Sequence, residues 1–328
     1  MFSFRLGAIA FAMAGSLTPG FAADVTINLG HVTQTSHPFH TGAEMFKKAV
    51  EEATDGRVAV QIFPSRQLGD DKELLEGVRL GTVDSAVVSS AIFGGYTPLM
   101  DALQLPFLLR TYDRAADAYT SEEGKSLLDG LGSIGVEGLG YYEGGLRHFL
   151  SNKGLVTKLE DFDGLKTRVV PAKLHLDTWS AIGVSPTPVA YGEIYSSLQT
   201  GVLDATEINV TSIDSEKFYE VAKNLTLTGQ YFWPGVLVIN PAKLASLEQK
   251  DREAVIDAAN STIRPQVEEA KKQDEAALES VKANGVTVAE FANTDAMIEK
   301  LQPVYDEYEA QDPRVKAFAE SVRNAQNK

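Results

Sequence analysis

Apolar side chains at Val25, Ile27 and Leu29 alternate with polar neighbours, the period-two pattern of a strand over residues 25–30. The period then changes. From Pro38 to about position 54, Ala43, Phe46, Val50 and Ala53 recur at helical spacing, and Gly56 ends the run. Residues 58–63 return to a strand. Asp70 stands as an N-cap ahead of the apolar stripe Leu74, Leu75 and Val78, and Gly81 closes that helix. Residues 85–88 are a short run of the kind buried inside a sheet. This β-α-β-α-β succession predicts a parallel sheet with right-handed crossovers.

The alternation continues with variations. Residues 113–131 predict a helix, 136–142 and 146–150 strands, and 165–170 a strand after the turn-rich Asp161-Phe162-Asp163-Gly164. Helices over 172–182 and 191–200 follow, with strands at 203–208 and 236–240. From position 247 to 283 the pattern is helical, broken only by Pro265, and far exceeds the mean helix of ~11 residues. A helix that long either leaves a single core or ties two together. Amphipathic helices over 295–310 and 314–326, split at Pro313, end the chain. The 328 residues suit two domains at ~150 residues each. No low-complexity linker separates them, so several strands are expected to cross between two α/β lobes that form a hinged pair.

Composition narrows the chemistry. Asp and Glu number 45 against 30 Lys and Arg, a formal net charge of −15 that argues against nucleic acid and anionic lipid as partners. With no cysteine, disulfides, thiolate zinc sites, iron–sulfur clusters and cysteine nucleophiles are excluded together. At the start, Arg5, an apolar stretch over 6–17, the break at Pro19-Gly20 and then Phe21-Ala22-Ala23 have the layout of an export signal cleaved near Ala22 or Ala23. The stretch is shorter than the ~20 apolar residues that span a bilayer. Residues 1–23 are therefore expected to send a soluble product to the periplasm of a Gram-negative cell.

Motifs of reaction chemistry mostly fail. Gly124-Lys125-Ser126 lacks the earlier glycine of a phosphate loop, Tyr119 standing in its place. No nucleophile elbow, His-Glu-x-x-His or dinucleotide fingerprint occurs. Asp70-Asp71 alone cannot fill a shell of six oxygens and reads as a helix cap. His31, His37 and His40 cluster before the first helix, but without a fourth ligand nearby they suit capping or pocket-lining roles better than zinc. No metal and no cofactor is expected.

What survives is a pair of arginines in apolar company. Arg147 lies in Gly144-Gly145-Leu146-Arg147-His148-Phe149, and Arg168 in Gly164-Leu165-Lys166-Thr167-Arg168-Val169-Val170-Pro171. A guanidinium keeps its proton, so in a buried strand it must find an anion. That anion is either an internal Asp or Glu, or a ligand carboxylate taken in two parallel hydrogen bonds. The pattern alone leaves both open.

Several segments resemble the DctP-type solute-binding proteins of tripartite ATP-independent periplasmic (TRAP) transporters. They are Gly164-Leu165-Lys166-Thr167-Arg168-Val169, Gly183-Val184-Ser185-Pro186-Thr187-Pro188, Lys217-Phe218-Tyr219-Glu220-Val221, and the stretch Glu193-Ile194-Tyr195-Ser196-Ser197-Leu198-Gln199-Thr200-Gly201-Val202-Leu203-Asp204. Ser65-Arg66-Gln67-Leu68-Gly69-Asp70-Asp71 and Leu80-Gly81-Thr82-Val83-Asp84 resemble the family's first-lobe segments. The resemblance covers essentially all of the chain after the signal. It implies an α/β, two-lobed periplasmic-binding-protein fold with hinge strands and one long helix spanning both lobes. Lobe I is expected over 24–145 plus about 234–273, and lobe II over 146–233 plus about 274–328.

The resemblance also assigns roles. Arg168 falls where the family's principal carboxylate-binding arginine sits, Arg147 matches a supporting arginine, and Tyr191 takes the place of an aromatic that packs on the ligand. Glu207 is retained from the family pattern, but Ile208 stands at the familiar Asn position, with Asn209 one place later. Ser89 and Ile92 occupy positions where sialic-acid binders carry Glu and Arg, which argues against that ligand. His31, Thr33, His37, Ser89 and Ser90 are expected on the closing first lobe, and Trp233 as a wall. The implied function is that of a monomeric extracytoplasmic receptor, not an enzyme. It captures a small organic anion (a uronic or aldonic acid, hydroxy- or keto-acid, dicarboxylate or sulfonate) for the small and large TRAP membrane subunits. A periplasmic sensor feeding a receptor kinase, or an arginine-clamp lyase or isomerase, is the alternative.

Overall fold

The computed structural model of the protein describes residues 23–326. The expected export signal lies outside them save for Ala23. The chain opens on the expected unit: β1 (Val25–His31), α1 (Pro38–Ala53), β2 (Val58–Phe63), α2 (Asp71–Leu80) and β3 (Ser85–Ser89). β1 pairs in parallel with both β2 and β3. Asp70 Oδ1 accepts the Asp71 N–H at 2.8 Å, and Gly81 closes α2 in the left-handed region at φ 76°. α1 is capped by a histidine: His37 Nδ1 accepts the Phe39 N–H at 3.2 Å.

Residues 112–129 form two helices instead of one, α3 (Tyr112–Thr120) and α4 (Glu122–Asp129). Ser121 between them is extended, and its Oγ caps α4 by accepting the Gly124 N–H at 3.0 Å. The two strands expected over 136–150 are a single strand, β4 (Glu137–Ser151). There follow β5 (Lys166–Val169), α5 (Lys173–Ile182), β6 (Ser185–Pro188), a 3₁₀ turn over 191–193 leading into α6 (Ile194–Gln199), β7 (Ala205–Asn209), α7 (Val210–Ser215), β8 (Asn224–Leu227), β9 (Phe232–Ile239) and α8 (Pro241–Ala245). α9 (Gln249–Ala283) is one helix of 35 residues that runs through Pro265, and at 1.5 Å per residue it is ~52 Å long. β10 (Thr287–Glu290), α10 (Thr294–Lys300), α11 (Gln302–Glu309) and α12 (Pro313–Gln326) complete the chain. No helix among the described residues is long and apolar enough to cross a membrane.

β4 joins two sheets. The strands run β2-β1-β3-β9-β4-β7-β5-β6, with β8 beside β4 and β10 beside β8. The first part of β4, from Glu137 to Leu146, pairs antiparallel with β9; its last part, from Arg147 to Ser151, pairs with β7. The changeover is a bulge, where the register shifts between Glu143 and Leu146. Gly145 there has φ 128°, and a Cβ would meet Asp274 Oδ1 at 3.0 Å and Thr211 Oγ1 at 3.2 Å, so only glycine fits. Glu143 Oε1 holds the bend by accepting the N–H groups of Gly145 (2.9 Å) and Trp233 (3.1 Å).

Gln266 of α9 fastens the long helix to this crossing. Its Oε1 accepts the Glu143 N–H at 2.7 Å, and its Nε2 donates to the carbonyls of Pro38 and Glu143. α9 packs on α1, α3 and α7, elements from both sides of the β4 crossing, within one continuous apolar core. The fold is a two-lobed α/β architecture with a long spanning helix. The last helix, expected with the second lobe, packs against α3, α4 and the turn over residues 99–104. Its apolar face (Val315, Phe318 and Ala319, all buried) is legible in the sequence, whereas the surface that covers it is not.

Candidate functional site

The two lobes enclose a cavity of about 590 Å³, within the range usual for small-molecule sites. It opens at the carboxyl ends of two parallel strands, where Ser89 ends β3 and Arg168-Val169 end β5, the place where α/β sheets characteristically bind ligands. The N-terminus of α2 forms one wall. Ala190, Tyr191, Glu193 and Trp233 form another, and Ile92, Gly95 and Tyr96 also line the cavity.

The cavity floor is cationic. Arg147 and Arg168 both line it and are only 1% and 2% exposed. Arg147 stands opposite Asn209 across the β4–β7 ladder, which sets Glu207 two residues along on the same face. Arg147 Nε donates to Glu207 Oε2 at 2.5 Å, and its Nη2 donates to the Glu207 carbonyl at 2.7 Å. Arg168 is held differently. Its Nε donates to the Val189 carbonyl at 2.9 Å, while its Nη1, 3.8 Å from Glu207 Oε1, has no hydrogen-bond partner.

Glu207 is fully buried and already engaged. Its carboxylate accepts from the Val170 N–H (3.3 Å) and the Tyr231 hydroxyl (3.3 Å), and His175 Nδ1 lies 3.5 Å away. Burial alone would push its carboxyl up; Arg147 and His175 instead hold it down at about 2. Burial lowers His175 toward the neutral form, and burial together with Arg147 lowers Arg168 to about 10, still charged at neutral pH. Two guanidiniums thus share one carboxylate. One unit of positive charge is left facing the cavity.

The walls carry both aromatic and acidic side chains. The Tyr191 and Trp233 rings lie 5.2 Å apart at 36°, and Arg147 sits over the Trp233 ring at 5.6 Å. Tyr191 is anchored through its hydroxyl to Ser212 Oγ (3.0 Å), and Trp233 through Nε1 to Ser89 Oγ (2.8 Å). Asp71 also lines the cavity and accepts the Ser89 N–H at 2.9 Å. Burial, reinforced by Asp70, pushes the Asp71 carboxyl up to about 7. Sequence reading missed this residue because a carboxylate at a helix start is fully explained by capping. The available signal was the second acid: Asp70 suffices as the cap, so Asp71 was free for another task.

Of the twelve residues singled out from the sequence, Arg147, Arg168, Tyr191, Ser89 and Trp233 line this cavity, and Glu207 stands directly behind it. The others lie elsewhere. His31 Nδ1 bonds Thr33 Oγ1 and its Nε2 bonds His40 Nδ1, both at 3.0 Å; burial holds its protonation down to about 3. His37 Nε2 lies 3.3 Å from each of Asn209 Nδ2, Thr211 Oγ1 and Ser212 Oγ, bridging α1 to the start of α7. Ser90 donates to Gln104 at 3.0 Å, and Ile208 is core. Among the described residues no group of three or more His, Asp or Glu side chains is arranged to hold a metal ion.

Known proteins share the sequence pattern and the fold of this chain. The family profile of bacterial extracellular solute-binding protein, family 7 (DctP), matches residues 29–312. The C4-dicarboxylate-binding periplasmic protein DctP of Rhodobacter capsulatus is 32% identical over 316 residues, covering 92% of this chain and 91% of that one. The sugar acid binding protein DctPAm from Advenella mimigardefordensis, solved in complex with galactonate, has a TM-score of 0.87 at 27% identity, covering 92% and 98% of the two chains. A TRAP periplasmic solute binding protein from Bradyrhizobium, solved with galacturonate, has a TM-score of 0.87 at 28% identity, covering 91% and 99%. A profile match across most of the chain, with the same two-lobed fold in solved relatives, means that the protein belongs to the DctP family of TRAP periplasmic solute-binding proteins.

Proposed function

We propose that the protein is an extracytoplasmic receptor for a small organic acid, whose carboxylate is clamped by Arg168 with Arg147. The observation that carries this reading is the unbonded Nη1 of Arg168 beside a carboxylate already committed to Arg147. An anion enters the open cleft, and closure of the first lobe removes water. In the dry site the paired hydrogen bonds gain strength, and losing the anion leaves an unpaired buried charge, a cost of ~3–5 kcal/mol.

The acidic wall selects among acids. A second carboxylate would approach the acidic stretch of Asp70, Asp71 and Glu73, whereas hydroxyl groups would donate to it, so hydroxylated monocarboxylates such as uronic and aldonic acids are favoured over dicarboxylates. The galactonate and galacturonate bound by relatives support this class. We further propose that the chain is exported with cleavage near Ala22 or Ala23, acts as a monomer, and hands its ligand to the TRAP small and large membrane subunits.

The test begins with a thermal-shift screen against D-galacturonate, D-galactonate, succinate and an alkyl sulfonate, since a ligand of the folded form raises its melting temperature by mass action. Calorimetry on the best hit then compares wild type with Arg168→Ala. The expected loss is on the order of 10²–10³-fold; retained affinity rejects the assignment.

A further inference from the structure

Neither Arg66 nor Glu216 lines the cavity, yet together they close a contact between the lobes. Arg66 lies in the loop between β2 and α2, and Glu216 follows α7 in the second lobe. Arg66 Nη1 donates to Glu216 Oε1 at 3.0 Å and Nη2 to Oε2 at 3.3 Å, a two-pronged pair. Nη1 also donates to the Val32 carbonyl at 2.9 Å, and Gln34 Nε2 donates to Glu216 Oε1 at 3.3 Å. The side chains are 26% and 13% exposed, so the pair is partly shielded from water.

The same loop grips the cavity wall from outside. Arg66 sits over the Tyr191 ring, its Cζ 5.6 Å from the centroid, and the next residue's N–H, that of Gly192, donates to Asp70 Oδ2 at 3.1 Å. A Cβ on Gly192 would come within 3.0 Å of Arg66 Cδ and 3.3 Å of Asp70 Oδ2, so glycine at 192 lets both side chains lie against this segment without shifting. Ser65 and Arg66 both occupy the left-handed region, at φ 54° and 64°, held by hydrogen bonds from their N–H groups to Thr33 O (2.9 Å) and His31 O (3.3 Å). Two consecutive non-glycine residues in that region are costly, and such strain persists where the surroundings enforce it.

We infer that Arg66 and Glu216 are positioning residues, a latch between the lobes that presses Tyr191 against the cavity and keeps the cleft closed over a bound acid. The latch rests on the receptor reading above but touches no ligand. Because it exists only when the lobes meet, it slows opening. It therefore acts on the rate of ligand release and leaves capture nearly unchanged.

The test uses the full-length mature protein with D-galacturonate, following tryptophan fluorescence in a stopped-flow instrument. Arg66→Gln and Glu216→Gln should each release ligand about tenfold faster with an association rate within about twofold of wild type. Arg66→Lys, which keeps the positive charge and a donor, should release ligand more slowly than Arg66→Gln. Unchanged release, a loss confined to association, or equal release from the Lys and Gln variants overturns the latch. A second readout needs no ligand: amide exchange at Gly192 should be faster in Arg66→Gln than in wild type, and equal exchange overturns the proposal whichever acid binds. A protein that shows this exchange difference yet binds none of the screened acids overturns the receptor reading alone.

Discussion

Glu207→Gln isolates the electrostatics of the site floor. The carboxylate is fully buried, takes the Nε of Arg147 at 2.5 Å and lies 3.8 Å from Nη1 of Arg168. The substitution keeps the shape and one acceptor oxygen but removes the negative charge that two guanidiniums share. Breaking a buried pair from one side costs ~3–5 kcal/mol, and the retained acceptor places this variant near the lower end. At ~2.1 cal/mol/K per residue a folded chain of about 300 residues loses ~1.5 °C of melting temperature per kcal/mol, so the unliganded variant should melt roughly 5 °C below wild type at pH 7. The sign with pH is also fixed. Because the folded carboxyl is held at about 2 against an ordinary 4.5, its contribution is present above about 4.5 and lost as pH falls through about 2. The gap between variant and wild type should therefore narrow over that window. Differential scanning calorimetry of both proteins from about pH 2 to about pH 8 reads both effects. A melting temperature within about 2 °C of wild type at pH 7 would refute the reasoning, since Glu207 would then not be the shared counter-charge.

Three further outcomes are expected. Burial pushes the carboxyls of Asp71, Asp101 and Asp274 up to about 7 and that of Glu143 up to about 8, so the folded state binds protons that the unfolded state has released, and stability falls as pH rises through these values. Burial lowers His31 and His148 to about 3, which acts in the opposite direction and only below their ordinary 6.5. Thermal melts should accordingly decline between about pH 6.5 and 8.5; a flat or rising profile there counts against these protonation states. Gly145→Ala places a Cβ at φ 128° against Asp274 and Thr211, and urea unfolding should show a loss of about 1–3 kcal/mol, with no loss disproving the constrained bulge. Trp233→Phe removes the Nε1 donor to Ser89 and replaces the indole by a smaller phenyl ring, and calorimetry with D-galacturonate should show affinity reduced by about tenfold, with unchanged affinity counting against Trp233 as a wall of the site.

The first lobe was legible because its signals are local: alternation in β1, the Asp70 cap and the Gly81 stop each act over a few residues. β4 was read as two strands because the bulge at Gly144-Gly145 interrupts alternation, although the backbone continues through it. The short strands β6, β8 and β10, of four residues each, carry too little pattern to be recognised and depend on their neighbours. At the site, Arg147 and Arg168 stood out because a permanent charge in an apolar strand demands an explanation. Asp71 did not, because helix capping already explained it. The sequence reading expects His37 and Asn209 in the cavity lining, but both lie outside it, and their mutual contact across 172 positions was not legible, because chain pattern carries no information on which distant groups meet. The same limit hides the Arg66–Glu216 pair, which unites a loop of one lobe with a helix end of the other.

The most direct measurement is a crystal structure of the mature protein grown with D-galacturonate or whichever acid stabilises it most. The carboxylate oxygens are expected about 2.7–2.9 Å from the Arg168 guanidinium, with Nη1 now bonded, and the ligand hydroxyls directed toward Asp71. A ligand whose carboxylate points away from Arg168, leaving Nη1 without a partner, would show that the positive charge on the cavity floor has another purpose.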